Sequence, residues 1–264
     1  MNHISSTKNQ QIKDLLVLEE KHRERKKQKL LVIEGVKEIS LALEAKYVFE
    51  SLFFCENIVE RAFLEKIMPF FRSIHSVSTE IFEKIAYRQT TGGVVATAKM
   101  PEIGLENIRL SACPLVLVVE SVEKPGNLGA LLRTADAANV DAVIVCDAQT
   151  DFFNPNVIRS SVGCVFTNQI AVDSSENVIK WLKKNQIRIF ASYLESAEWY
   201  HLSNFCEASA LVMGTEATGI TEQWLKNADS CIKIPMLGKI DSMNVSNAAA
   251  ILVYEALRQR NFGF

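Results

Sequence analysis

The sequence predicts an α/β protein in two parts, a small α/β unit over residues 1–100 and a parallel-sheet domain over residues 115–264. Three observations predict it. Short apolar runs of strand length alternate with stretches of helical period along the chain. The run from Leu115 to Glu120 opens the second part as a continuous apolar strand, as in a parallel sheet covered on both faces. Between the parts, the linker 101–114 (PEIGLENIRLSACP) carries two prolines and a glycine with little periodicity.

The first part reads in order as follows. Gln11 to Glu24 has leucines at 15, 16 and 18 on a helical period. Leu30 to Ile33 is a short buried strand ending at Glu34-Gly35. Helix over Lys37–Ala45, strand over Val48–Phe54, helix near Ala62–Met68, strand near Ile74–Val77 and helix over Thr79–Ala86 follow. Gly93 to Ala98 is the last strand. In the second part, Leu115–Glu120 and Ala142–Cys146 are strands around a helix from Asn127 to Asn139. Asn154-Pro155 opens another helix, with Asn as cap and Pro in the first turn. Glu176–Asn185 is helical, and Ile187–Ser192, Ala210–Met213 and Cys231–Ile234 are strands. A long helix from Val245 to Arg260 ends the chain. Ligands of such a sheet sit at the C-terminal edge of its strands.

Composition excludes several classes. The 264 residues are 48% hydrophobic and 23% charged, so a real core is buried and the chain is not of disordered type. No apolar run reaches the roughly 18 residues of a membrane span. The polar start MNHISSTKNQ lacks the apolar core of a secretory signal. Six cysteines without a Cys-x-x-Cys pair read as reduced, mostly buried thiols of a cytoplasmic protein. Four scattered histidines give no metal-ligand spacing, so no metal is expected. A net charge of -2 argues against a protein that coats nucleic acid by charge alone. Residues 1–100 nevertheless carry 16 Lys and Arg against 13 Asp and Glu, whereas the remainder carries 13 against 18. The run Lys21–Lys29 holds six cations and one anion. It is either a solvated helix end or a phosphate-contacting patch.

Three strands lead into loops with chemical potential. After the first comes Glu123-Lys124-Pro125-Gly126-Asn127-Leu128-Gly129, with Arg133 six residues beyond Asn127. A helix N-terminus there offers free N–H groups to an anion, and Arg133 and Asn127 could face one cleft. The glycines fall as Gly-x-x-Gly, which is not a dinucleotide fingerprint. The second loop, Gly214-Thr215-Glu216-Ala217-Thr218-Gly219, places a carboxylate between two glycines after Met213. The third runs from Ile234-Pro235-Met236 to Ser242, Met243, Asn244 and Ser246. A helix needs one polar N-cap, and this one has three candidates. Taken alone, each loop is also explained as a capped turn.

Together and in this order, the three loops resemble the motifs of the SpoU (TrmH-type) branch of the SPOUT superfamily of RNA ribose 2'-O-methyltransferases. The first motif is Pro125-x-Asn127-x-Gly129-x-x-x-Arg133-x-Ala135, the second Gly214-x-Glu216-x-x-Gly219, and the third Ile234-Pro235-Met236 with Ser242-Met243-Asn244-Val245-Ser246. Met243 stands where the family usually has leucine, and Val157–Gly163 is similar to the segment between motifs. The first hundred residues resemble the substrate-binding domain of ribosomal-RNA members, a ribosomal-protein-like α/β fold. Leu31–Gly35 fits its usual start, while Thr90-Thr91-Gly92 replaces the frequent Pro-Gln-Gly.

The resemblance implies a parallel sheet with a C-terminal trefoil knot, a homodimer, and S-adenosylmethionine as cofactor. It implies methyl transfer to a ribose 2'-hydroxyl of structured RNA, 23S-type ribosomal RNA first. A transfer-RNA enzyme and a non-catalytic RNA-binding protein on the same fold are the alternatives. Its catalytic positions fall on Arg133, Asn127, Glu216, Ser242 and Asn244. Its cofactor positions fall on Met213, Gly214, Glu216, Gly219, Ile234, Met236, Met243, Asn244 and Ser246. RNA contacts are expected from Arg23, Arg25, Lys26, Lys27, Arg133 and Arg159. Family proposals make the arginine a general base. A guanidinium with a pKa above roughly 12 is better suited to hold a phosphate and stabilise a developing alkoxide.

Overall fold

The computed structural model describes residues 2–87, 92–195, 197–215, 219–240 and 242–263. Its contacts divide the chain into two compact units, Met1–Glu102 with Asp151–Thr167, and Ile103–Thr150 with Asn168–Phe264.

The first unit runs β1 (Asn2–Ile4), α1 (Gln10–Glu20), α2 (His22–Gln28), β2 (Leu30–Glu34), α3 (Val36–Glu44), β3 (Phe49–Phe54), α4 (Arg61–Ile67), β4 (Ser73–Val77), α5 (Thr79–Ile85) and β5 (Val94–Lys99). The sheet order is β1-β4-β3-β5-β2, with β1 and β3 parallel to β4, and β5 antiparallel to β3 and β2. One face of it is sealed by Ile12, Leu15 and Leu18 of α1 and by Ile81, Phe82 and Ile85 of α5, packed with Val32, Phe53 and Val95. The single helix read over Gln11–Glu24 is two helices that break at Lys21, whose backbone is extended. The break has a physical cause. Arg25 turns inward to 1% exposure, and its Nη1 donates to the carbonyls of Leu18 (2.7 Å) and Glu19 (3.0 Å) at the end of α1. Those carbonyls lack intrahelical partners. Nε and Nη2 of Arg25 bind Asp151 Oδ2 at 3.2 and 3.1 Å.

Glu19 also lines a cavity of about 420 Å³ in this unit, with Leu16, Val32, Glu34, Ile85 and Arg159. Burial, and then the Glu34 carboxylate, push its pKa up to about 8. A folded pKa above the unfolded one stabilises below the unfolded value, and that stabilisation is lost as pH rises through about 8. We therefore expect the Tm to fall between about pH 4.5 and pH 8, and Glu19→Gln, which fixes the neutral form, to flatten that fall. Thermal melts of both proteins across that range test it.

The second unit runs β6 (Leu115–Glu120), α6 (Pro125–Ala137), β7 (Ala142–Cys146); then, after α7 (Pro155–Ser160) in the first unit, β8 (Ile170–Asp173), α8 (Ser175–Lys184), β9 (Arg188–Ser192), β10 (Glu198–Trp199), β11 (Ser209–Met213), α9 (Glu222–Asn227), β12 (Ser230–Lys233) and α10 (Val245–Gln259). Seven strands, all parallel, lie in the order β10-β12-β9-β11-β6-β7-β8. Alternate residues of a strand face opposite sides. Val116 and Val118 therefore point to one face, where they pack with Val178, Leu182 and Trp224 of α8 and α9. Leu117 and Val119 point to the other, where α6 and α10 pack on each other and on the sheet. The chain moves from β6 outward through β7 and β8, then returns on the far side of β6 through β9 and β11. The crevice between β6 and β11 is thus a topological switch point.

Three expectations change. Residues 101–114 are docked: Leu105 is buried, Arg109 exchanges two hydrogen bonds with Gln169 (2.9 and 2.8 Å), and Arg260 donates to the carbonyls of Cys113 and Pro114. Asp151–Thr167, expected within the second domain, groups with the first unit. Of the cysteines, only Cys55 and Cys146 are buried, while Cys113 and Cys206 are exposed.

Candidate active site

The site is built at the C-terminal strand edge, where β6, β9, β11 and β12 end. Pro125 in the first turn of α6 presets the helix, and Leu128, Leu131, Leu132 and Ala135 bury one of its sides. This leaves Asn127 beside the strand end. Asn244 caps α10, with Oδ1 accepting from the Ser246 N–H at 3.0 Å and from the Ser246 hydroxyl at 2.6 Å. Its Nδ2 donates to Asn127 Oδ1 at 3.1 Å. One side chain therefore joins the first and third loops, 117 residues apart.

The second loop closes on itself. Thr215 and Gly219 exchange backbone hydrogen bonds of 2.9 and 3.1 Å, and Gly219 holds φ +67, a left-handed conformation that glycine adopts without strain. Gly214 lies so close to Gly219 and Ile220 that a β-carbon would overlap their backbone atoms.

These loops enclose a cavity of about 390 Å³ lined by Met213, Gly214, Thr215, Gly219, Ile234, Met236, Ser242, Met243, Val245 and Ala248. Ser192 at the end of β9, Tyr193 to Glu195 after it, and Lys233 complete it. Here burial is less decisive than the arrangement: four apolar side chains, Met213, Ile234, Met236 and Met243, are set among strand-end backbone groups. That donor set suits a flat apolar ring carrying a polar, charged tail. A smaller cavity of about 120 Å³ shares Gly214, Thr215 and Val245 with it and reaches Asn127, Lys124, Glu123 and Ser121.

The cofactor positions Met213, Gly214, Gly219, Ile234, Met236 and Met243 are brought together, and Ser242 lies with them. Asn244 and Ser246 do not line this cavity. Asn244 and Ser246 are engaged in capping α10, and Ser242 lines the cavity. Glu216, expected in both roles, lies outside the described residues, as do Thr90 and Thr91. Arg133 is exposed on α6 and lines neither cavity. Six residues at about 100° each turn it roughly 240° from Asn127 about the helix axis, so the spacing alone does not place both in one cleft, and only a long side chain reaching round α6 would meet a ligand held by Asn127. Sequence reasoning missed Tyr193 and Glu195, joined at 3.3 Å, where the Glu195 charge pushes the Tyr193 phenol up. Their position just beyond an apolar strand was the available signal.

Among the expected RNA contacts, Arg23, Lys26 and Lys27 are exposed on α2. Arg25 is not available: its guanidinium is consumed by Asp151 and the end of α1. Arg159 is also engaged, 3.6 Å from Glu34, bonded to Asn156 Oδ1 at 2.7 Å and stacked 3.6 Å over the Tyr87 ring.

The sequence model of the SpoU rRNA methylase family matches residues 114–254, which span all three loops and more than half of the chain. The chain belongs to the SpoU family. Residues 9–96 match the MRM3-like substrate binding domain. A 23S rRNA (guanosine(2553)-2'-O)-methyltransferase of Bacillus subtilis, RlmP, is 31% identical over 254 residues, 96% of this chain and 98% of that one. A 23S rRNA (uridine(2479)-2'-O)-methyltransferase of Streptomyces viridochromogenes is 27% identical over 88% of this chain and 84% of its own. Among solved structures, an RNA 2'-O ribose methyltransferase superimposes with TM-score 0.85 at 38% identity, covering 98% of this chain and 99% of that one. An AdoMet-bound rRNA methyltransferase from Sinorhizobium meliloti gives 0.89 at 25% identity, covering 97% of each. The SpoU chain therefore matches such proteins over both of its units.

Gly214 gives a direct test of the cavity. In Gly214→Ala the added carbon must displace the 219–220 backbone, at a cost of about 1–3 kcal/mol. We expect S-adenosylhomocysteine affinity, measured by calorimetry, to drop by about tenfold or more, because the displaced loop walls both cavities. Unchanged affinity would mean that this loop does not shape the ligand site.

Proposed function

We propose that this SpoU protein methylates a ribose 2'-hydroxyl of 23S-type ribosomal RNA, with S-adenosylmethionine as methyl donor. The observation that carries the reading is the pair of adjoining cavities, one apolar-walled and one reaching Asn127, with Asn244 tying their rims. S-adenosylmethionine, when bound, supplies an electrophilic methyl group on a sulfonium. Met213, Ile234, Met236 and Met243 would hold its adenine, and Gly214, Thr215 and Ser242 its polar parts. The smaller cavity admits the acceptor ribose. Asn127, fixed through its Oδ1 by Asn244, orients the hydroxyl there. Holding the acceptor in line lowers the barrier, because positioning alone is worth several kcal/mol or more. Arg133 binds the adjoining phosphate and stabilises charge as the hydroxyl loses its proton. Glu216, inside the second motif, takes part in orienting these groups. The C-terminal knot belongs to this reading.

Arg23, Lys26 and Lys27 on α2 position the RNA through its phosphates without reading sequence. The protein acts in the cytoplasm as a homodimer. Exposed Leu237 (96%) and Ile240 (65%) beside the third loop, and Tyr254 on α10, support a second copy there. A transfer-RNA target and a role in binding without catalysis are not favoured, since relatives aligned over most of the chain are named for 23S rRNA methylation.

Thermal melts with S-adenosylhomocysteine and with NAD test the cofactor. A ligand that binds only the folded state raises the Tm. S-adenosylhomocysteine is expected to raise it and NAD to leave it unchanged. The reverse outcome would overturn the reading.

A further inference from the structure

Glu120 is the last residue of β6 and is 3% exposed, although it is a carboxylate. Its neighbours Val119 and Ser121 line the smaller cavity, so Glu120 points to the opposite face of the sheet. There it receives both donors of Thr221: the backbone N–H at Oε2 (2.8 Å) and the hydroxyl at Oε1 (2.8 Å). Thr221 is the N-cap residue of α9 and makes no cap bond with its own side chain. Glu120 instead holds the N-cap residue itself, through its N–H and its hydroxyl. The Ser175 hydroxyl, at the start of α8, lies 3.2 Å from Glu120 Oε1 and 2.6 Å from Asp147 Oδ2, and accepts from Trp224 Nε1 at 3.1 Å. A buried charge held by so many donors is costly to disturb.

Thr221 follows the segment Gly219–Ile220, whose backbone Gly214 touches with no space for a β-carbon. Gly214 and Gly219 are walls of the larger cavity. A chain of contacts thus runs from Glu120 through Thr221 and Gly219 to Gly214.

We infer that Glu120 is a positioning residue for the methyl-donor site, fixing the Gly214–Gly219 loop through Thr221. This rests on the larger cavity being the S-adenosylmethionine site. Glu120 lines neither cavity, and Gly219, the part of the loop nearest Thr221, lines only the larger one, so its effect falls on donor affinity.

The test measures S-adenosylhomocysteine affinity by calorimetry, together with Tm and the split of KM and kcat. Glu120→Gln, which turns an acceptor oxygen into a donor facing Thr221, is expected to weaken binding by about tenfold. Its KM for the methyl donor should rise while kcat holds. Thr221→Val should weaken binding likewise, and Thr221→Ser should restore it. Trp224→Phe removes the indole donor to Ser175 while leaving both Thr221 bonds. It should lower the Tm and keep the affinity, which separates positioning from stability. Wild-type affinity in Glu120→Gln and Thr221→Val, or an equal loss in Trp224→Phe, would overturn the inference. If the wild-type protein itself fails to bind S-adenosylhomocysteine, the cofactor reading falls, and this inference with it.

Discussion

Arg133→Ala is expected to lower methyl transfer by about 10²–10³-fold, the usual effect of removing one group that stabilises developing oxyanion charge. Arg133 lines neither cavity, so S-adenosylhomocysteine affinity should stay at the wild-type value. Arg133→Lys should recover little, because an ammonium cannot make the two parallel bonds a guanidinium makes to phosphate. Single-turnover rates and calorimetry on the same samples separate the two effects. Full activity in Arg133→Ala would remove this residue from the mechanism. Lost cofactor affinity would mean that it acts through the fold of the donor site.

Arg25→Ala is expected to be the most destabilising of the single changes considered. It leaves the Asp151 carboxylate, 11% exposed, without its guanidinium and strips the Leu18 and Glu19 carbonyls of their donors. Breaking a buried ion pair from one side costs about 3–5 kcal/mol. Arg23→Ala, Lys26→Ala and Lys27→Ala, on the exposed face of the same short helix, should leave the Tm nearly unchanged. Each should instead lower RNA affinity and reduce its salt dependence, by roughly one counterion per lost phosphate contact. Denaturant melts and RNA titrations at several salt concentrations distinguish the two classes. A surface-like response from Arg25→Ala would contradict its role in joining α1 to Asp151.

The basic run illustrates what a sequence carries and what it does not. Six cations in nine residues mark a charged helix, but not which of them turns inward. Arg25 is selected by the geometry of the α1–α2 break and by an acid 126 residues away. Where patterning was strong, the sequence was readable. Leu115–Val119 and Ala142–Cys146 are apolar throughout and form strands, the first running on to Glu120. Asn154-Pro155 caps and opens α7, with Asn154 Oδ1 accepting from the Asn156 N–H. The strand Asn2–Ile4 was not readable, because only Ile4 is buried and its pairing comes from β4.

The site divides in the same way. Glycines and methionines after apolar strands locate the larger cavity, because strand ends converge on one sheet edge. The Asn244–Asn127 bond and the Glu120–Thr221 bonds join residues 117 and 101 positions apart, and no local pattern announces either. Arg133, six positions beyond Asn127 on α6, lines neither cavity, and spacing alone does not tell what it faces.

The most direct measurement of the central claim is a map of ribose 2'-O-methylation in total RNA from cells with and without this gene. One 2'-O-methyl mark in the large-subunit ribosomal RNA is expected to be lost, restored by the wild-type gene and not by Arg133→Ala. A mark lost from transfer RNA, a methyl group lost from a base, or an unchanged map in cells that make the protein would contradict it.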